Sequence, residues 1–214
     1  MTKVLVMGAS RGIGLETVKA LLAHGLDVRA FARSATDIPI DDPKLEKFDG
    51  DALDGGSVAR ALAGIDVVVQ SLGVTFGPEA MLRGTTLFSK ATRVLVDAMR
   101  KTGIKRLIVV TGAGAGDSRG HGSILFDRIV FPLVLKRVYD DKDVQEQMVK
   151  ASGLEWTIAR PGGLTGGPAT GRYHVLTDPE TWRGGFIARA DVADFLVKEV
   201  LEPRYVGKTP VLIS

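Results

Sequence analysis

The chain has 214 residues, 45% of them hydrophobic and 25% charged, with a formal net charge of +3. Those proportions exclude disorder for most of the chain, and so slight a charge, with no run of Lys or Arg, excludes a dedicated nucleic-acid binder. There is no cysteine, so disulfides, thiolate metal sites and cysteine nucleophiles are excluded, and His24, His121 and His174 stand at no metal-ligand spacing. The longest apolar stretch, Ile124 to Leu135, is interrupted by Asp127 and Arg128 and is too short to span a bilayer. A soluble cytoplasmic protein is expected. Glycine is the anomaly, with 26 residues where an average chain of this length has roughly 15.

Short β-rich runs alternate with helical patterns from end to end. Lys3–Met7 reads as a buried strand; Leu15, Val18, Leu21 and Leu22 then recur at helical spacing up to a glycine stop at His24-Gly25. Strands follow at Val28–Ala32 and Leu45–Phe48, then a short helix at Ser57–Ala63 and a strand at Ile65–Gln70. Thr86–Thr102 is a long helix closed by Gly103, with Leu87, Ala91, Val94, Leu95, Ala98 and Met99 turned inward. Arg106–Thr111 is a strand, Asp140–Ala151 a helix and Leu154–Ala159 a strand; Asp191–Leu201 is a helix with Asp191 as its cap, and Pro210–Ile213 the last strand. Such alternation predicts a single α/β domain, a doubly wound parallel sheet with helices on both faces. The less regular stretches 112–138 and 162–189 both follow strands, whose carboxyl ends hold the ligand in such sheets, and they predict one small substrate lobe.

Gly8-Ala9-Ser10-Arg11-Gly12-Ile13-Gly14 lies between the first strand and the first helix, where backbone N–H groups and a helix N-terminus can meet a pyrophosphate. Gly8 makes the tight turn, Gly12 permits close approach of the phosphates, and Gly14 lets helix pack on strand. With Ser10, Arg11 and Ile13 they form the candidate cofactor turn. An NAD-specific site carries an acid at the end of the second strand; here that end reads Phe31-Ala32-Arg33-Ser34. Arg33 and Arg11 can instead clamp a 2′-phosphate by charge-assisted hydrogen bonds, which predicts NADP(H) in preference to NAD(H). Simple solvation of both arginines is the competing reading.

Other motifs stand just past the remaining strands: Gly50-Asp51-Ala52-Leu53, Ser71-Leu72-Gly73 and Val110-Thr111-Gly112. Ser152-Gly153-Leu154-Glu155-Trp156-Thr157-Ile158-Ala159-Arg160-Pro161-Gly162 leads into and out of the sixth strand. With the glycine turn, these resemble the short-chain dehydrogenase/reductase superfamily over nearly the whole chain. They are most similar to its atypical NAD(P)H-binding branch, which holds the NmrA-like proteins and the biliverdin reductase B (flavin reductase) group. The resemblance implies a Rossmann-like fold in which Asp51 and Ala52 contact adenine, Leu72 and Gly73 line the cofactor cleft, and Thr111 sits beside the nicotinamide ribose. It also implies that Gly162, Gly163 and Leu164 lie along the carboxamide, with Pro161 in the same cofactor set. For Asp51 a plain turn carboxylate is the alternative, since Gly-Asp pairs form turns.

Typical members of the superfamily use a Tyr-x-x-x-Lys pair, the tyrosine as general acid and the lysine holding the ribose. No tyrosine here has lysine four residues on; the nearest arrangement is Tyr139-Asp140-Asp141-Lys142, three apart. Positions three apart share a helix face, yet Tyr139 precedes the helix as read here. The candidate catalytic set is therefore Lys142, Thr111 and Tyr139, with Lys142 also a cofactor ligand by the resemblance. Gly112 occupies a position where related proteins often carry serine, so a reaction needing a strong protein acid is disfavoured. The stretch Ile124–Leu135 holds seven large aliphatic residues with Phe126 and Phe131; it reads as a lid over a flat apolar substrate, as packing of the small lobe, or as a dimer contact. Trp182, Phe186 and Tyr173 are candidates to complete such a pocket, and Arg172 and Arg183 to meet an acidic substituent.

The expected function is an NADPH-dependent oxidoreductase passing hydride to a flavin-like, quinone-like or other conjugated carbonyl small molecule. The alternative is a non-catalytic NADP(H)-binding sensor of the NmrA type. No nucleic acid or membrane partner is expected, and the chain is read as a monomer or homodimer.

Overall fold

The computed structural model describes residues 2–74, 84–120 and 136–214. Its first strand, β1 (Lys3–Met7), shows how the apolar runs work. Val4 and Val6 join one hydrophobic core, Leu5 and Met7 the other, and none of the four is exposed. A strand with both faces covered needs apolar residues at every position, which is why the sequence shows continuous runs and not alternation.

The helices α1 (Gly12–Ala23), α2 (Gly55–Ala61), α3 (Leu87–Thr102), α4 (Lys136–Lys150) and α5 (Arg189–Leu201) cover the two faces. Val18 and Leu21 of α1 pack with Phe195 and Leu196 of α5 on one side. Val58 of α2, Leu95 and Met99 of α3, and Val149 of α4 pack on the other. Between them run β2 (Asp27–Ala32), β3 (Leu45–Asp49), β4 (Val67–Gln70), β5 (Arg106–Val110), β6 (Glu155–Pro161) and a late strand, β10 (Val211–Ile213). With β8 (His174–Leu176) at one edge, the eight-stranded sheet has the order β3-β2-β1-β4-β5-β6-β10-β8. All pairings are parallel except that of β8 with β10. The order reverses between β1 and β4, and a crevice opens at such a switch point. Among the described residues no helix is long and apolar enough to cross a membrane.

Three features differ from the sequence reading. First, α4 begins at Lys136, so Tyr139 lies within the helix and not before it. Second, the stretch after β6 contains three-residue strands: β8, and the parallel pair β7 (Gly163–Thr165) and β9 (Phe186–Ala188). Third, α5 starts at Arg189, and Asp191 does not cap it. Its carboxylate accepts instead from the Thr170 and Gly171 amides at 2.7 and 2.8 Å and from Thr170 Oγ1 at 3.0 Å, pinning that turn to the helix. Two other helices do receive carboxylates at their N-termini. Asp54 accepts from the Gly56 and Ser57 amides of α2. Asp141, from α4, reaches across to the Phe88 and Ser89 amides of α3 at 2.8 and 3.4 Å.

Candidate active site

A cleft of about 1510 Å³ runs over the carboxyl ends of the central strands. It gathers residues from six junctions: Gly8 after β1, Arg33 after β2, Asp51 after β3, Leu72 after β4, Thr111 after β5, and Gly162 after β6. Of the residues singled out from the sequence, Ser10, Arg11, Gly12, Ile13, Ala52, Gly73, Tyr139, Lys142, Pro161, Gly163 and Leu164 line it too. Gly14 does not line it. A Cβ there would lie 2.1 Å from the Gly8 carbonyl oxygen and 2.7 Å from Ser71 Oγ, so its lack of a side chain lets α1 press against the β1 turn. Gly12, at φ +60°, has open space where its Cβ would be. Asp51 lines the cleft, and its Oδ1 accepts from the Leu53 amide at 2.9 Å, the bond of a turn carboxylate.

One wall of the cleft is polar. Lys142, partly buried on α4, donates from Nζ to the Thr111 carbonyl oxygen. Its ammonium also sits 5.1 Å from the Phe88 ring centroid and 5.3 Å from that of Tyr139, within cation–π range. Burial pulls the Lys142 ammonium down to about 8, against a smaller upward pull from Glu146. Burial also pushes the Tyr139 hydroxyl up to about 12, so it stays protonated at neutral pH. A Cβ on Gly112 would lie 2.6 Å from Tyr139 Oη. The glycine that looked like a missing hydroxyl is thus the space into which the tyrosine hydroxyl fits.

Behind that wall stands a group the sequence reading missed. Glu146, only 1% exposed, accepts from Thr111 Oγ1 at 2.8 Å and from Arg160 at 2.9 and 2.5 Å. Arg160, with no exposed surface, also pairs with Asp117 at 2.6 Å and lies 5.3 Å from the Trp182 ring. Thr111 Oγ1 donates its hydrogen to the Glu146 carboxylate, so toward any other partner its hydroxyl can only accept. The signal was an arginine inside the apolar run Thr157–Pro161, because a buried guanidinium requires an acid partner.

The opposite lip is apolar. Leu164 and Phe186, on the paired strands β7 and β9, are 39% and 69% exposed and both face the cleft, as does Trp182. Arg183 lines it as well. Tyr173 and Arg172 do not: Tyr173 donates to Asp194 at 2.7 Å, and burial together with that carboxylate raises its pKa. The apolar stretch Ile124–Leu135 lies outside the described residues.

A glycine turn at a strand-to-helix junction, opening a cleft over the switch point of a parallel sheet, defines a Rossmann-type dinucleotide-binding protein. The chain belongs to the NAD(P)H-binding family, whose model matches residues 8–203. It is 30% identical over 215 residues to the uncharacterised sugar epimerase YhfK of Bacillus subtilis, covering 94% of this chain and 88% of that one. Among solved structures, ChuY, an anaerobilin reductase from Escherichia coli O157:H7, superposes with a TM-score of 0.80 at 29% identity, over 99% of this chain and 97% of that one. A short-chain dehydrogenase/reductase from Veillonella parvula in complex with NADP shares the fold, with a TM-score of 0.83 at 18% identity, over 100% and 94% of the two chains. The relationship to the atypical short-chain dehydrogenase/reductase branch holds.

Proposed function

We propose that the protein is an NADPH-dependent reductase of a flat, conjugated small molecule. The observation that carries this is the continuity of one cleft, which joins the glycine turn and Arg33 to the Lys142–Tyr139 wall and the Leu164–Phe186 lip. The residues suit the cofactor. The N-terminus of α1 has no side-chain cap, the Cβ position of Gly12 is open, and Arg33 is exposed on the rim where a 2′-phosphate would lie. Gly8, Ser10, Gly12 and Ile13 would hold the pyrophosphate, Arg11 with Arg33 the 2′-phosphate, and Asp51 and Ala52 the adenine. Leu72, Gly73, Thr111, Lys142 and the run Pro161–Leu164 would hold the nicotinamide half. Bound there, NADPH supplies a hydride, which with one proton completes a two-electron reduction of the acceptor.

The chain's own residues favour acceptors that ask little of a protein acid. Thr111 Oγ1 already donates its hydrogen bond to Glu146, and Tyr139 holds its proton up to about pH 12. A flavin, quinone or linear tetrapyrrole delocalises the added charge and draws its proton from water or from the Lys142 ammonium. The reductase named among the similar structures agrees with this reading. Epimerase chemistry asks for a tyrosine that ionises readily, and burial of Tyr139 works against it. NADPH oxidation is to be screened over flavins, quinones, linear tetrapyrroles and aldehydes beside a binding titration. Turnover of a conjugated acceptor is expected; tight NADPH binding without turnover of any acceptor would replace the reductase with a nucleotide sensor.

A further inference from the structure

We infer that Glu146, which never reaches the cleft, is a positioning residue that fixes Thr111 as a hydrogen-bond acceptor and holds Lys142 as a cation facing the cofactor. The inference rests on the reading of Thr111 and Lys142 as nicotinamide-side residues. Three observations carry it. The Thr111 hydroxyl can be donor or acceptor toward a ligand, and its 2.8 Å bond to Glu146 Oε1 decides the matter, since a carboxylate bridged to a guanidinium accepts. The same Thr111 accepts the Lys142 ammonium at its backbone carbonyl, so one residue couples the carboxylate to the lysine. Lys142 and Glu146 are four apart on α4, on one helix face.

The charges around Lys142 are few. From α4 it meets Tyr139, neutral, and Glu146; from α3 the uncharged Phe88 ring; from the end of β5 the Thr111 carbonyl. Among the described residues Glu146 is the charge that acts on it, and burial alone would strip its proton more readily. Arg160 and the more distant Lys150, 3.9 Å away, pair with the Glu146 carboxylate in turn, and Asp117 pairs with Arg160. A site built this way offers one acceptor and one cation side by side, a match for a ribose hydroxyl that both donates and accepts.

The test reads Lys142 directly. The pH dependence of its acylation by acetic anhydride, followed by peptide mass spectrometry, is compared in wild type, Glu146→Gln and Glu146→Asp, and NADPH affinity is titrated across the same pH range. In Glu146→Gln the labelling midpoint is expected to fall by on the order of one unit, and the pH at which NADPH binding weakens to fall with it. Glu146→Asp, still charged, keeps the midpoint near wild type. If Glu146→Gln leaves Arg160 uncompensated and fails to fold, the paired variant Glu146→Gln/Arg160→Gln removes both charges and is expected to shift the midpoint the same way. An unchanged midpoint in a folded variant overturns the inference. A shifted midpoint with NADPH binding unmoved at every pH supports the hold of Glu146 on Lys142 and removes Lys142 from the cofactor site, which separates this inference from the reading beneath it.

Discussion

Two alanine substitutions only two residues apart in the glycine turn, Gly14→Ala and Gly12→Ala, should fail in different ways. At Gly14 the new methyl would meet the Gly8 carbonyl oxygen at 2.1 Å and its carbon at 2.8 Å. Both obstructing atoms are backbone, so no rotamer change relieves the clash and α1 must back away from β1. Overpacking of this kind costs about 1–3 kcal/mol. For a chain of this size that lowers Tm by roughly 2–12 °C, at about 2–4 °C per kcal/mol. At Gly12 nothing lies within 4 Å of the new methyl, and the only structural penalty is the left-handed φ of +60°. That penalty is about 1–2 kcal/mol, a Tm loss of roughly 2–8 °C. The methyl would, however, stand where the phosphates approach the backbone, and NADPH affinity should fall at least tenfold, or about 1.4 kcal/mol. Thermal unfolding and fluorescence titration with NADPH separate the two effects. Wild-type affinity in a folded Gly12→Ala protein would refute the placement of the pyrophosphate on this turn, and an unaltered Tm in Gly14→Ala would refute the close packing of helix on strand.

Arg33→Ala should weaken NADPH binding by roughly 10- to 100-fold, the loss of one charge-assisted contact of about 1.5–3 kcal/mol, and leave NADH binding untouched; equal losses for both cofactors would remove Arg33 from the 2′-phosphate. Gly112→Ala should destabilise by about 1–3 kcal/mol, because its methyl would meet Tyr139 Oη at 2.6 Å while the next ring atom is 3.3 Å away. Tyr139→Phe should therefore recover most of that loss, and a double-mutant cycle in urea with no coupling would contradict the geometry. Because burial pulls the Lys142 ammonium down to about 8 from the usual 10.5, NADPH affinity should decline as pH rises through 8, and Lys142→Met should flatten the profile. On stability the sign is the reverse: between 8 and 10.5 the unfolded chain binds more protons at this position, so the lysine makes stability rise with pH over that window. Melts of wild type and Lys142→Met from pH 8 to 10.5 read that difference, and parallel curves would argue against a buried ammonium.

The sheet and its glycine turn were legible because each central strand is buried on both faces and each helix carries a periodic apolar stripe, signals written into a few consecutive residues. The short strands β7, β8 and β9 were not. Three residues such as Gly163–Thr165 carry no pattern, and their pairing is decided by partners more than 20 positions away. The start of α4 was missed for a related reason: Lys136 and Arg137 are exposed and offer no apolar phase until Val138. Glu146 was hidden by its own chemistry, since a carboxylate on a charged helix reads as solvated until a buried arginine in β6 is seen to face it. Gly112 is the most instructive case. Read alone it is a missing hydroxyl, and only the helical placement of Tyr139 shows another hydroxyl filling the gap.

The trans cap on α3 has a consequence for where negative charge can settle. Every helix N-terminus carries a partial positive charge that an anion can answer. Among the described helices whose preceding residue is also described, α2 is answered by Asp54, α3 by Asp141 borrowed from its neighbour, and α5 has Asp191 in its first turn. The first turn of α1 contains no acid and makes no side-chain cap. Leu87 and Phe88 bring the α3 terminus to the same cleft, so without Asp141 a polyphosphate would face two competing berths. With the α3 terminus answered by Asp141, α1 is left as the open berth for an anion in this cleft.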